Sequence, residues 1–273
     1  MASHNKTFLH FQGIPVALVS WLLLPSAGLL LLTTGNESLF LYLNDGLNRL
    51  IGPSFWAFIT NFGDGFFLFP LAMLLAWKRP DRQLDILLAG ILAAICLKIT
   101  KGLIAADRPV ALLGQSITNV TGPVLKRHSL PSGHSGTVFL FAGLSMIWLR
   151  NNTVLIVVML AGLVALSRIA VGAHWPADIL LGAWIGLVCT ALGVTFRRSL
   201  RCGGLQYRLA YMLPGLVTAV VLPHYNNGFR DFGGVLLCQY MLAIIALLVV
   251  IGEIAAIYRR GDQCHSVEEG YAG

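Results

Sequence analysis

Apolar runs of about 20 residues, each long enough to cross a bilayer's hydrocarbon core as a helix, recur from one end of this 273-residue chain to the other. Short polar breaks separate them. The pattern predicts helical spans near residues 14 to 32, 54 to 77, 84 to 102, 134 to 149, 153 to 168, 176 to 196, 209 to 223 and 233 to 258, about eight crossings. The expected fold is all-α, a polytopic transmembrane helical bundle. No polar linker or charge run divides the chain, so residues 1–273 read as one integral membrane domain. The first run is expected to be a retained helix, because its apolar stretch is long and no Ala-x-Ala cleavage pattern follows it. Between the first two runs, "SLFLYLNDGLNRL" sets Leu39, Leu43, Leu47 and Leu50 on one side at helical spacing, with Asn44, Asp45, Asn48 and Arg49 elsewhere. That segment is expected to lie along the membrane interface.

Composition agrees with the pattern: 56% of the residues are hydrophobic and 11% are charged. The net charge of +7 is spread between apolar segments instead of gathered with aromatics on one polar face, so lipid and topology explain it and nucleic acid does not. With the N terminus inside, the inner loops carry Lys78, Arg79 and Arg82, then Arg150, then Arg197, Arg198, Arg201 and Arg208, and finally Arg259 and Arg260, as the positive-inside rule requires. The outer side still holds Arg49, Lys101, Arg108, Lys126, Arg127, Arg168 and Arg230. Those cations need another reason. Cys96, Cys189 and Cys238 fall in apolar runs and Cys202 and Cys264 in polar flanks, without metal or disulfide spacing.

Three polar stretches carry candidate chemistry. In "KGLIAADRP", two helical turns separate Lys101 from Arg108, so both cations reach one mouth if the helix persists, while Pro109 disfavours helix at the residue before it. In "PSGH", Ser132 is a natural N-cap, and the amides of Gly133 and His134 would then point out of a helix N-terminus that favours an anion. In "SRIAVGAHWPAD", Pro176 suits the first position of a helix, leaving His174 just outside it and Asp178 in its first turn. Four residues apart, the carboxylate can fix the imidazole tautomer and leave the other nitrogen free as base or nucleophile. Each stretch has a plainer reading by itself: snorkelling anchors, an ordinary turn into a helix, an interfacial cap. The topology changes the balance by bringing all three to one membrane face.

The constellation resembles the type 2 phosphatidic acid phosphatase superfamily, whose signature is Lys, six residues, Arg-Pro; then Pro-Ser-Gly-His; then Ser-Arg, five residues, His, three residues, Asp. Lys101, Arg108 and Pro109, Pro131 to His134, and Ser167, Arg168, His174 and Asp178 match it at every position. The motif region covers residues 98–182. The resemblance implies a six-helix core, with two extra C-terminal helices at about residues 209–258 beyond the family's usual pattern. It also implies phosphate-ester hydrolysis through a phosphohistidine: His174 as nucleophile, Asp178 orienting it, His134 as acid and then base. Lys101, Arg108, Arg168, Ser132 and the Gly133 amide would hold the phosphoryl oxygens. No metal or other cofactor is expected.

The expected partners are therefore the bilayer and a lipid phosphate or diphosphate: undecaprenyl diphosphate, phosphatidylglycerol phosphate, phosphatidate or a lipid A phosphate. The expected place is a bacterial cytoplasmic membrane, with the site on its outer face. Two other readings stand beside hydrolysis. A phosphotransferase would pass the phosphoryl group to a second lipid, and a transporter or channel would also place charges within helices. Among weaker signals, Asp64 would sit inside the second span and neutralise Lys98 or Lys101, and Lys126, Arg127 and His128 would form a solvated loop or meet a headgroup. His224 and Arg230 read as interfacial, and His4, His10 and His265 carry no assigned role. Nothing in the pattern fixes an oligomeric state.

The loop charges make orientation testable. A Gln115→Cys variant in a cysteine-free background is expected to react with a membrane-impermeant maleimide in intact cells; reaction only after permeabilisation would reverse the topology.

Overall fold

The computed structural model describes residues 10–11, 14–15, 23–149, 151–200 and 208–270. Among them the chain is helical, apart from an antiparallel pair of two-residue strands, β1 (His10–Phe11) and β2 (Ile14–Pro15). The helices are α1 (Leu24–Thr34), α2 (Asn36–Leu50), α3 (Pro53–Asn61), α4 (Gly65–Leu75), α5 (Pro80–Ile104), α6 (Pro109–Leu113), α7 (Gly133–Trp148), α8 (Asn151–Ala170), α9 (Pro176–Ser199), α10 (Arg208–Val221) and α11 (Val235–Gly270). A 3₁₀ turn, Leu222–His224, follows α10.

Among the described residues, four helical stretches are long and apolar enough to cross a membrane: Pro80–Leu113, Asn152–Ala170, Pro176–Ser199 and Val235–Glu253. The pair α3 and α4 makes a fifth if taken as one span bent by 54°. At 16, 14 and 11 residues, α7, α10 and α1 are shorter than a full crossing needs. The apolar run expected to start a span at residue 14 instead places Ile14 and Pro15 in β2, and helix is described only from Leu24. Arg150, Arg201 and Cys202 of the expected inner loops, with His4, lie outside the described residues.

One expectation is corrected. The second run is not one continuous helix: it breaks at Phe62–Asp64, where Asp64 N-caps α4 by accepting a hydrogen bond from the Phe66 amide at 2.8 Å. The break has a packing reason. A β-carbon at Gly63 would come within 2.9 Å of the His134 side chain and 2.8 Å of Val164, so only a glycine lets the chain turn against α7 and α8. Helix α2 faces the protein through Phe40 and Asn44. Asn44 Nδ2 donates to the carbonyls of Asn119, Ile169 and Ala170, and Asn48 Nδ2 to that of Ala170. These donors dock α2 on the end of α8, with Leu43 and Leu47 packed against the core beside them.

The central helix is α9, packed against α7, α5 and α1. Its closest approach is to α7, where a side chain on Gly182 would collide with the Ser132 carbonyl and one on Gly186 with the Gly136 carbonyl. Small residues let the two backbones meet, as helices packed in lipid commonly do. Farther along, Thr190 Oγ1 donates to the Leu140 carbonyl at 3.0 Å. Ala89, Ala93, Leu97, Leu140, Leu144, Cys189 and Val194 fill the space between α5, α7 and α9. On the outside of α5, Ile91, Ile95, Ile99 and Leu103 form an exposed stripe at helical spacing, the face suited to lipid. At the end of this bundle away from the motifs, Arg197 of α9 pairs with buried Asp85 of α5 at 2.7 Å, and Trp148 Nε1 of α7 donates to the same carboxylate.

The α7–α9 crossing sets where PSGH stands relative to His174. Gly182→Ala is expected to lower stability by roughly 1–3 kcal/mol and to depress the detergent-solubilised melting temperature. Gly162→Ala, whose β-carbon meets open space, should leave it unchanged; equal melting of the two variants would contradict the close-crossing account.

Candidate active site

Three loops meet at the ends of α5, α7, α8 and α9. Helix α5 stops at Ile104 because Ala105 turns into the left-handed region at φ 46°. Lys101 and Arg108 therefore do not share a helical face. Instead, the 105–108 turn lies along residues 126–129: the Arg108 amide donates to the Lys126 carbonyl at 2.8 Å and the Ser129 amide to the Ala106 carbonyl at 2.9 Å. The turn folds Arg108 inward, where it is 6% exposed.

The Arg108 guanidinium is held by backbone oxygens. Its Nε donates to the Arg127 carbonyl and its Nη1 to that of Ala173, both at 2.9 Å. Lys101 Nζ donates to the His128 carbonyl at 3.1 Å, and the His128 ring Nδ1 lies 3.1 Å from the Lys101 carbonyl. The segment expected to meet a headgroup thus uses its main chain to set two cations, while the side chains of Lys126, Arg127 and His128 are exposed.

Helix α7 begins as the Pro-Ser-Gly pattern predicts. Ser132 is its N-cap, its hydroxyl accepting from the Ser135 amide at 3.4 Å. The start of α7 is pinned to α9 because the Ser132 amide donates to the Asp178 carbonyl at 2.9 Å. The Lys101 side chain runs past Gly133, its Cε 4.0 Å from where a β-carbon would stand. A cation and the open amide end of a helix therefore adjoin, an arrangement that attracts an anion. His134 lies in the first turn, within electrostatic reach of Lys101, Arg108, Arg168 and His174.

Helix α9 also starts where its sequence predicts, with Pro176 first and His174 in the preceding loop. Both His174 and Asp178 are buried, 2% and 1% exposed. One oxygen of Asp178, Oδ2, accepts from His174 Nδ1 at 3.2 Å, from the Trp175 amide at 2.9 Å and from the Ser129 hydroxyl. The other imidazole nitrogen, Nε2, faces Arg108 Nη1 at 3.5 Å. A carboxylate only accepts and a guanidinium only donates, so both neighbours select the same tautomer: proton on Nδ1, lone pair on Nε2. Burial, reinforced by Arg108, Arg168, Lys101 and His134, holds the His174 pKa well below the ordinary imidazole value.

Arg168 stands at the end of α8 and is 4% exposed. Its Nη1 donates to the Thr60 hydroxyl of α3 at 2.6 Å, its guanidinium lies 5.8 Å from the Phe229 ring centroid, and its Nε has no protein partner. Asp64, expected opposite Lys98 or Lys101, instead caps α4, and Lys98 is exposed. The structure thus brings together Lys101, Arg108, Ser132, Gly133, His134, Arg168, His174 and Asp178. Sequence reasoning did not find Ser129, Thr60 or Phe229. Each reaches the site through a residue 49 to 108 positions away, and none sits in a pattern of its own.

The family model described as PAP2 superfamily matches residues 82–201, a stretch that contains all three motifs. An undecaprenyl-diphosphatase of Sulfolobus acidocaldarius is 27% identical over 144 residues, covering 50% of this chain and 69% of that protein. YbjG of Escherichia coli K12, provisionally named for the same reaction, is 32% identical over 125 residues, covering 44% of this chain and 61% of its own length. Among solved structures, LpxE of Aquifex aeolicus superposes with a TM-score of 0.54 at 26% identity, over 59% of this chain and 96% of that one.

The buried imidazole gives a pH test. Because folding weakens proton binding at His174, acidification costs stability: the loss starts as pH falls through the unfolded value of about 6.5 and is complete below the native value. In histidine-labelled protein, the resonance removed by His174→Gln is expected to show no NMR titration midpoint at or above about 6.5. A midpoint there would contradict the burial argument.

Proposed function

We propose, from the premise of a PAP2 superfamily segment at residues 82–201, that the protein is an integral membrane lipid phosphatase hydrolysing a phosphate or diphosphate headgroup at the outer face of a bacterial cytoplasmic membrane. The observation that carries this reading is the setting of His174, with Nδ1 on Asp178 at 3.2 Å and Nε2 turned toward Arg108 at 3.5 Å. A free nitrogen lone pair beside a buried guanidinium is a nucleophile placed where a phosphoryl group would be held.

In the mechanism this supports, the His174 Nε2 lone pair attacks phosphorus in line. A P–N bond forms as the bond to the lipid-side oxygen breaks, and His134 gives its proton to that oxygen. Water then attacks phosphorus on the phosphohistidine, passing a proton to His134. The P–N bond breaks, its electron pair returns to Nε2, and inorganic phosphate leaves. Asp178 keeps the Nδ1 proton in place throughout. Lys101, Arg108, Arg168 and the amide end of α7 offset charge on the equatorial oxygens, and preorganised donors in a dry site do this without reorganisation. These groups supply the stabilisation a divalent ion would otherwise give.

Both named relatives point to a polyprenyl diphosphate as the first substrate to test. A diphosphate also suits three convergent cations, and its leaving group, a lipid monophosphate, needs less protonation than an alkoxide. Phosphatidate, phosphatidylglycerol phosphate and lipid A phosphates belong in the same assay. Release of inorganic phosphate with no acceptor lipid present separates hydrolysis from phosphotransfer, and solute flux surviving loss of His174 would favour transport.

Purified protein is expected to release phosphate from the lipid diphosphate, with the rate unchanged by excess EDTA and inhibited competitively by orthovanadate. His174→Ala should abolish turnover, while His134→Ala should still accumulate acid-labile phosphoenzyme. Label on a serine, or activity lost in EDTA and restored by magnesium, would overturn the mechanism.

A further inference from the structure

Among the described residues, two that are not glycine have backbones in the left-handed region, Ala105 at φ 46° and His128 at φ 57°. L-residues adopt that region uncommonly, because the β-carbon crowds the backbone. The two stand on different segments, yet both reach one acceptor, the Lys101 carbonyl. The Ala105 amide donates to it at 3.0 Å, closing the last turn of α5, and the His128 ring Nδ1 lies 3.1 Å from it. A carbonyl only accepts, so this ring nitrogen carries a proton and donates.

The contact is reciprocal. Lys101 Nζ donates to the His128 carbonyl at 3.1 Å, and Arg108 Nη2 approaches the same oxygen at 3.4 Å. Arg108 has closer anchors in the Arg127 and Ala173 carbonyls, both at 2.9 Å, so the His128 carbonyl matters most for Lys101. The His128 side chain is exposed. Burial therefore does not hold the ring in place, and a glycine would adopt this backbone more easily than a histidine. Strained backbone that persists beside a site is a sign of a functional constraint.

We propose that His128 is a positioning residue for Lys101. Its ring, bonded to the Lys101 carbonyl, fixes the left-handed turn that aims the His128 carbonyl at the Lys101 ammonium. That charge is thereby set beside Gly133 at the open end of α7, where the Lys101 Cε passes 4.0 Å from the place of a β-carbon. The proposal rests on the phosphatase reading above. A flexible four-carbon stem gives an ammonium many positions, and an acceptor in a fixed place selects among them without neutralising the charge. Two N–H donors of Lys101 then remain for phosphoryl oxygens.

The test uses purified full-length wild type, His128→Gly, His128→Asn, Lys101→Gln and the His128→Gly/Lys101→Gln double variant. Equilibrium binding of orthovanadate, kcat for lipid diphosphate and melting temperature are measured for each. Glycine suits φ 57° and removes the donor; asparagine tolerates the same backbone and can set its amide nitrogen where the ring Nδ1 stood. His128→Gly is expected to weaken vanadate binding and lower kcat by roughly 10-fold, and His128→Asn to recover most of both. The double variant should be no worse than Lys101→Gln alone, because no ammonium remains to be placed. Wild-type vanadate affinity in His128→Gly, equal losses in His128→Gly and His128→Asn, or losses additive with Lys101→Gln would overturn the proposal while leaving the phosphatase reading intact. A wild-type protein that neither binds vanadate nor releases phosphate would overturn both. If His128→Gly does not give a single size-exclusion peak, His128→Ala, which also lacks the donor, is compared with His128→Asn in its place.

Discussion

The arrangement depends on one carboxylate oxygen. Asp178 Oδ2 caps α9 through the Trp175 amide, fixes the His174 ring and receives the Ser129 hydroxyl, while the carbonyl of the same residue receives the Ser132 amide. Through these four hydrogen bonds a single residue ties α9 to the start of α7 and to the 126–129 segment. That segment in turn supplies the carbonyls that hold Lys101 and Arg108. An unpaired carboxylate this deeply buried would cost several kcal/mol. Three donors on one oxygen offset that cost: two come from within four residues of Asp178, and the third, Ser129, comes from the 126–129 segment.

The cations follow a related constraint. Lys101, Arg108 and Arg168 converge with far less negative charge than positive, and like charges in a low-dielectric interior repel. Main-chain carbonyls answer this for Lys101 and Arg108, because they satisfy donors without neutralising charge. The excess of positive potential is thereby kept for an arriving anion. Arg168 is handled differently, with the Thr60 hydroxyl and the Phe229 ring face, both from segments outside the PAP2 match. The N-terminal and C-terminal helices thus border the same group that the central segment presents.

Helix packing sets how precisely these parts meet. The α7–α9 crossing leaves no space for side chains at Gly182 or Gly186, so the backbone of PSGH is held directly against the turn that follows His174. Gly63 does the same for the α3–α4 break beneath His134. Backbone-to-backbone contact leaves little freedom for the distances between nucleophile, helix end and cations.

Read by itself, the sequence determined what depends on local spacing. It set the all-helical membrane class, the start of α9 at Pro176, the Ser132 cap, and the four-residue interval that lets His174 meet Asp178, because periodicity, capping and i to i+4 geometry act within a few residues. Tertiary structure decided the rest. Lys101 and Arg108 meet across a left-handed turn and not along a helix face, and the buried Asn44 ties α2 to the end of α8. In each case the partners lie far along the chain, and which segment comes within hydrogen-bonding distance is fixed by how the bundle packs.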